Sequence, residues 1–364
     1  MRMSSTLFAY IARQFFYAVA GVFAGLLAVI FMFDIIELMR RATGKEMVTF
    51  LVIVQMAVFK LPKMEQEVMP FAILFGSMFA FWRLTRSNEL VVARAAGISV
   101  WQFLLPGLSI AAAIGVIQVG LFSPISSVLL QRFERLEGVF FKGQVSALSL
   151  SATGLWLRQG DSSGQAVIHA TRMDQTTLEL HEVVVLLFQG QDKFVGRVDA
   201  ATAKLKDGYW LLERAFVSLP DQPTQVAPTY ELPTDLTIER IQDNFASPDT
   251  MSFWDLQGFI GSLEKAGFSA HRHRLHFHAQ LAVPLLLCAM VLIAATFSLR
   301  PTRRGGTAYM VAGGVVAGFL LFFVSDIVLA LGLSATIPAV LAAWTPAGVS
   351  SMLGAAMLLH LEDG

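Results

Sequence analysis

The densest group of metal-ligating side chains in this sequence is His271-Arg272-His273-Arg274-Leu275-His276-Phe277-His278. A metal pair on a helix needs two ligands four residues apart, and no two of these histidines have that spacing. An interfacial basic collar is the better reading. The sequence has no Gly-x-x-x-x-Gly-Lys-Ser/Thr loop to cradle phosphates and no His-Glu-x-x-His zinc pair, so catalysis by this chain alone is not expected. No cofactor is implied. Two acids, Asp34 and Asp326, stand inside apolar runs, where a carboxylate is costly and raises the question of ion coupling.

Two basic or mixed segments carry more specific chemistry. The first is Arg83-Leu84-Thr85-Arg86-Ser87-Asn88-Glu89-Leu90-Val91-Val92-Ala93-Arg94-Ala95-Ala96-Gly97-Ile98. Ser87 or Asn88 can cap a short helix over about 86–97, Glu89 sits in its first turn, where the helix dipole favours an anion, and Gly97 supplies the stop. Leu90, Val91 and Val92 are expected to be exposed on it, and so apolar a loop needs something to pack against. The second segment is Arg40-Arg41, followed by Lys45, Lys60 and Lys63, at the far end of the first apolar run. These cations are open to two readings: side chains snorkelling to headgroups, or a receptor for an anion.

The elements that must position these groups are set by composition. Of 364 residues, 55% are hydrophobic and 15% charged, and mean hydropathy is +0.61, which marks an integral membrane protein. Five apolar runs, about 15–37, 101–123, 279–299, 307–331 and 337–360, are long enough to span a bilayer. A sixth region, Phe50 to Trp82, is interrupted by Lys60-Leu61-Pro62-Lys63-Met64-Glu65-Gln66-Glu67. It is expected to form a short surface helix over 47–59, a break at Pro62, and a span from Met64 to Leu84. The first run lacks a small-residue cleavage pattern and reads as a retained anchor.

Six spans put both termini on one side and the segment after the third span on the other. Arg2, Arg13, Arg83, Arg86, Arg94, Arg300, Arg303 and Arg304 mark the terminal side as cytoplasmic by a narrow margin. The formal charge of zero hides a division: residues 125–270 hold 12 Lys/Arg against 18 Asp/Glu, so the membrane part is net basic and suits an anionic partner or lipid surface. The single cysteine, Cys288, lies in an apolar run and reports no redox compartment.

Between the triplets, residues 125–250 read as a β domain. Period-two runs at Val145–Leu150, Gly154–Arg158, Ala166–Ala170, Leu178–Phe188, Phe194–Ala203 and Tyr209–Val217 alternate with turn signals such as Asp161-Ser162-Ser163-Gly164 and Lys206-Asp207-Gly208. A sandwich or partly open roll is expected, with an edge that must be paired or covered. Residues 251–278 form a connector in which Ser252 and Asp255 begin a helix, Gly267 ends it, and Phe253, Leu256, Phe259, Ile260 and Leu263 share one face. That face lies on the membrane or on the β domain. Domain limits are thus 1–124, 125–250, 251–278 and 279–364.

With these elements in place, the sequence resembles the LptF/LptG family, the transmembrane subunits of the lipopolysaccharide-exporting ABC transporter. The resemblance rests on Tyr10-Ile11-Ala12-Arg13, the Arg86–Val92 loop running on to Ala96-Gly97, Gly154-Leu155-Trp156, Leu281-Ala282-Val283-Pro284, and Ile337-Pro338-Ala339-Val340-Leu341-Ala342-Ala343-Trp344-Thr345-Pro346-Ala347. It implies an α-helical membrane protein of six spans (3+3) with an inserted periplasmic β-jellyroll, in the bacterial inner membrane. It also implies a homologous LptF-like subunit, a cytoplasmic LptB-like ATPase dimer, a single-span LptC-like protein, a periplasmic LptA-like bridge, and lipopolysaccharide as cargo, with no nucleic acid.

By carry-over, Arg86, Glu89, Leu90 and Arg94 form the ATPase-coupling element, and Arg40 and Arg41 meet headgroup phosphates. Phe31 and Phe33 in the first span, with Phe319, Phe322 and Phe323 in the fifth, are candidates for an acyl cavity or gate. Phenylalanines at helical spacing also serve as plain packing. The sequence departs from the family at Asp34, where a basic residue is frequent, and at His278-Ala279-Gln280 before Pro284. The alternative class is a membrane scaffold or sensor with a ligand-binding β domain. A secondary transporter predicts interrupted spans at matching places in the two halves, which the sequence lacks.

Overall fold

The computed structural model describes residues 4–45, 48–142, 148–151, 154–160, 165–173, 179–189, 193–220, 222–234, 247–265, 269–299 and 307–363. The expected turn at 161–164, the first residues of the first strand, Gly267, and Arg2, Arg300, Arg303 and Arg304 lie outside these residues. Among the described residues six helices are long and apolar enough to cross a membrane. The chain divides into a membrane unit, residues 1–141 with 274–364, and a second unit over 142–273.

Helix α1 (Ser5–Ala42) starts where the Ser4 hydroxyl accepts the Leu7 N–H at 3.3 Å. Its 38 residues reach about 57 Å, well beyond a 30 Å hydrocarbon core, so its last turns stand at or outside the interface. Helix α2 (Phe50–Arg86) is continuous through Pro62 and Pro70. The expected break at Pro62 and the separate surface helix over 47–59 are therefore not formed. Proline costs a helix one backbone bond, and membrane helices tolerate it when another group takes up the freed carbonyl. Pro70 frees the carbonyl of Gln66, and the Gln118 amide donates to it at 3.4 Å. The charged run 60–67 stays helical because Lys60 pairs with Asp34 of α1 and Lys63 lies 3.8 Å from Glu67 one turn on.

Helix α3 (Glu89–Ala95) links α2 to α4 (Val100–Ile117). A π-helical turn at Gln118–Phe122 carries α4 into α5 (Ser123–Glu137), and a second at Gly138–Lys142 ends it. The third span thus runs 18 residues past the expected boundary at 124, and Gln118 can turn to Gln66 because the π turn re-aims its side chain. Helices α7 (His271–Ser298), α8 (Thr307–Leu333) and α9 (Ala339–Asp363) complete the bundle. Helix α2 and the span in α7 are mostly buried, whereas few residues of the spans in α1 and α8 are.

Lipid provides no hydrophobic drive between helices, so close packing must hold them. The main core joins Ile11, Phe15, Ile73, Phe81, Leu104 and Val291. At Gly115 of α4 a Cβ would stand 2.6 Å from the Cα of Pro284, so glycine permits the α4–α7 backbone approach.

Among the described residues the second unit holds one antiparallel sheet of seven strands in the order β1 to β7: Leu148–Ser151, Gly154–Gly160, Gln165–Met173, Glu179–Gln189, Lys193–Lys206, Tyr209–Ser218 and Gln225–Pro233. It is a roll rather than a sandwich. The Gln159 amide of β2 donates to the Pro233 carbonyl at 2.9 Å, and Thr234 donates to Gln159 at 2.6 Å, so the sheet curls until its second strand meets the end of its last.

A crease crosses the sheet at Thr171, Glu182, Ala201, Arg214 and Pro228, a row left out of the pairing on all four neighbouring strand pairs. Glu182 and Arg214 adopt left-handed φ of 54° and 55°. The inward side changes parity there: Leu180 then Val183 on β4, Ala200 then Ala203 on β5, Leu212 then Ala215 on β6. Shifting neighbouring strands together preserves pairing while one face stays inward around the bend. Helix α6 (Phe253–Lys265) begins with the Ser252 hydroxyl bonded to the Asp255 carboxylate at 2.6 Å and accepting its N–H at 3.2 Å. Its face of Leu256, Ile260 and Leu263 is buried within the protein rather than laid in lipid.

Candidate functional site

Helix α3 is held by its ends. Asn88, at the N-cap, takes a left-handed φ of 59° and its side chain makes no capping bond. The Ser87 hydroxyl donates to Glu89 Oε1 at 2.8 Å, and Tyr10 of α1 donates to the same oxygen at 3.3 Å. At the other end the Gly97 N–H donates to Arg94 at 2.9 Å and the Ile98 N–H to Ala93 at 3.1 Å, with Gly97 at φ 80°. This pair of bonds closes the helix and requires glycine at the left-handed position.

Leu90 is not exposed as the sequence implied. It is 4% exposed and, with Ala93, belongs to the main core, because a seven-residue helix between two long ones has to turn one face inward to stay attached. Val91 and Val92, at 58% and 67% exposure, form the outward face beside Arg94. Arg86 is exposed, with its guanidinium 5.3 Å from the centre of the Trp82 ring.

The opposite end of α1 is a lattice of ion pairs. Glu37 accepts from Arg40 Nε at 2.8 Å, Arg40 Nη2 at 2.9 Å and Arg41 Nε at 2.8 Å, and Arg41 also lies 3.6 Å from Glu137. Lys45 donates to the carbonyls of Phe140 and Phe141 at 3.2 and 2.8 Å, which ties the loop after α1 to the last turn of the third span. Lys60 Nζ stands 2.6 Å from Asp34 Oδ1 and 5.7 Å from the centre of the Phe133 ring. Phe133 belongs to a second core with Leu38, Ile53, Met56 and Leu130, which therefore adjoins that pair. The sequence indicated the cations but not their partners Glu37, Glu137 and Asp34.

Asp34 and Asp326 do not form a relay. Asp34 is committed to Lys60, and Asp326 lies on the exposed side of α8. Of the gate candidates, Phe33, Phe319, Phe322 and Phe323 are more than half exposed, and Phe322 also reaches the Phe71 ring at 5.5 Å. Phe31 packs against the second core. Between these ends runs a polar seam: Gln118 to Gln66, Ser123 to Gln280 at 3.5 Å, and Gln280 to His276 at 2.8 Å. In the second unit, one row across six strands places Trp156, His169, Val184, Asp199, Phe216 and Val226 side by side. The Trp156 and His169 rings stand 4.3 Å apart, and a cavity of about 840 Å³ opens between this row and the crease.

The model of the family described as lipopolysaccharide export system permease LptF/LptG matches residues 9–360. Among curated proteins, the lipopolysaccharide export system permease protein LptG of Escherichia coli K12 is 23% identical over 305 residues, covering 82% of this chain and 83% of its own length. The protein of the same name from Haemophilus influenzae Rd is 23% identical over 360 residues, covering 94% and 95%.

Proposed function

Because the chain belongs to the LptF/LptG family, we propose that it is one of two homologous membrane subunits that extract lipopolysaccharide from the inner membrane under the power of a separate ATPase. In this reading both termini and α3 face the cytoplasm, and the β unit stands in the periplasm. An LptB-like ATPase dimer grips α3 through Val91 and Val92, with Glu89 meeting a basic group of the partner and Arg86 and Arg94 flanking it. Leu90 is the inner anchor of that element rather than part of the grip.

The observation that carries this reading is the two-sidedness of α3: an exposed apolar face outside, and a face fused to the main core inside. A push on α3 passes into α1 through Tyr10 and into α2 and α4 through the core, because a packed core transmits displacement rather than absorbing it. ATP-driven closure then narrows a cavity between this subunit and its LptF-like partner. Phe33, Phe319, Phe322 and Phe323, on the exposed sides of α1 and α8, offer apolar surface to acyl chains, while Arg40 and Arg41 meet a headgroup phosphate. The lipid leaves towards the β roll, an LptC-like single-span protein and an LptA-like bridge.

The test is reconstitution of this chain with its homologous subunit and the ATPase in proteoliposomes containing lipopolysaccharide, with a photoreactive residue in the β roll. ATP-dependent capture of lipopolysaccharide there is expected. Capture that is equal without ATP points instead to a membrane-anchored sensor. Arg40→Ala with Arg41→Ala is expected to weaken lipid capture at the end of α1, and unchanged capture returns these residues to simple snorkelling.

A further inference from the structure

The basic residues at the outer end of α1 and α2 are almost fully compensated within the chain. Arg40, Arg41 and Lys60 face three carboxylates, Glu37, Glu137 and Asp34. Lys45 directs its ammonium to backbone carbonyls, and Lys63 stands by Glu67. The two groups of pairs differ in exposure. The Arg40 side chain is 77% exposed and Glu37 36%, so an incoming anion exchanges with Glu37 in a nearly aqueous setting. The Asp34 side chain is 6% exposed and sits among apolar groups, where attraction to Lys60 is strong and separation leaves a buried charge without its partner.

We infer that Asp34 sets the charge of the headgroup this subunit accepts: it withdraws Lys60 into a fixed pair, so that only Arg40 and Arg41 receive the anion and a second phosphate on the cargo adds little to its capture. The inference rests on the proposed role of Arg40 and Arg41 as a headgroup site. Asp34 acts through Lys60 and is a positioning residue. Among the described residues its Oδ2 has no hydrogen-bond partner, so the carboxylate is held through Lys60.

The test uses the complete transporter in phosphatidylcholine nanodiscs. Benzoylphenylalanine replaces Met39, an exposed neighbour of the arginines, and lipid A with one or with two phosphates is captured in competition. The native protein is expected to take the two within about twofold of each other. Asp34→Asn keeps the shape and releases Lys60, and is expected to shift capture roughly tenfold towards the two-phosphate form, the effect of one more unit charge near the ligand. Asp34→Asn with Lys60→Met returns the ratio to the native value, and Lys60→Met alone shifts it towards the one-phosphate form. If Asp34→Asn does not fold, the Lys60→Met shift decides the matter. An unchanged ratio in these single variants, with native capture intact, overturns the role of Asp34. Failure of the native complex to capture either lipid overturns the headgroup reading itself.

Discussion

Replacing Glu89 with glutamine separates a charge contact to a partner from a structural role inside the chain. Glu89 Oε1 accepts two hydroxyl bonds, from Ser87 at 2.8 Å and Tyr10 at 3.3 Å. A glutamine carbonyl accepts both, so the subunit loses only the difference between a charged and a neutral acceptor. At this partly exposed position that is below about 1 kcal/mol, and thermal unfolding in detergent should scarcely move. A charge-assisted bond to a basic group of the ATPase contributes about 1.5–3 kcal/mol, and its loss weakens association by roughly ten- to a hundredfold. The assay is ATPase binding to immobilised membrane subunits, with Tyr10→Phe as the comparison that disturbs the intrachain bond and spares the charge. Glu89→Gln should bind poorly, and Tyr10→Phe should bind nearly as the native protein does. If Glu89→Gln binds within about twofold of native, the charge of Glu89 has no part in coupling, and the contact must be carried by Val91 and Val92.

Three further outcomes follow from packing and charge. Gln118→Leu strands the Gln66 carbonyl in the bundle and should cost about 1–3 kcal/mol, and Pro70→Ala should recover much of it by restoring the missing N–H, both read from unfolding in detergent. Gly115→Ala forces α4 and α7 apart against Pro284 and should cost about 1–3 kcal/mol, whereas Gly25→Ala, with nothing within 4 Å of the new Cβ, should be neutral in the same assay. Lys204 lies 3.5 Å from both Glu179 and Glu213, which raise its ammonium above the ordinary 10.5. Its stabilising effect on the β roll is therefore complete at neutral pH and disappears as pH rises past 10.5 and through the raised value, so Lys204→Met should lower the urea midpoint at pH 7 and cease to matter in strong alkali.

Charge partners were the part of the site least legible in the sequence. The Lys60–Glu67 run reads as a surface break because eight residues with four charges and a proline cannot be placed in a bilayer without knowing what neutralises them. Yet the clue was present. Asp34 lies eight residues before the end of α1 and Lys60 ten residues into α2, so an α1–α2 hairpin sets them at similar depth, about 12 and 15 Å from the connecting loop. Leu90 misled for a related reason: a short apolar helix is exposed or buried according to neighbours that its own residues do not specify.

Much follows from local chemistry alone. Apolar length dictates that a helix cross the membrane, because backbone groups in lipid must bond within their own segment. Period-two runs dictate strands, Ser252 with Asp255 starts α6, and Gly97 ends α3, since each depends on residues only a few positions apart. Tertiary structure alone decided that Asp34 meets Lys60, that Arg41 reaches Glu137, that Gln118 takes up the carbonyl freed by Pro70, and that the sheet creases at Glu182 and Arg214 and curls until Gln159 meets Pro233. These contacts join residues from 26 to 96 positions apart. Their energies depend on burial and on angstrom-scale separation, and neither exists until the helices have packed and the strands have paired.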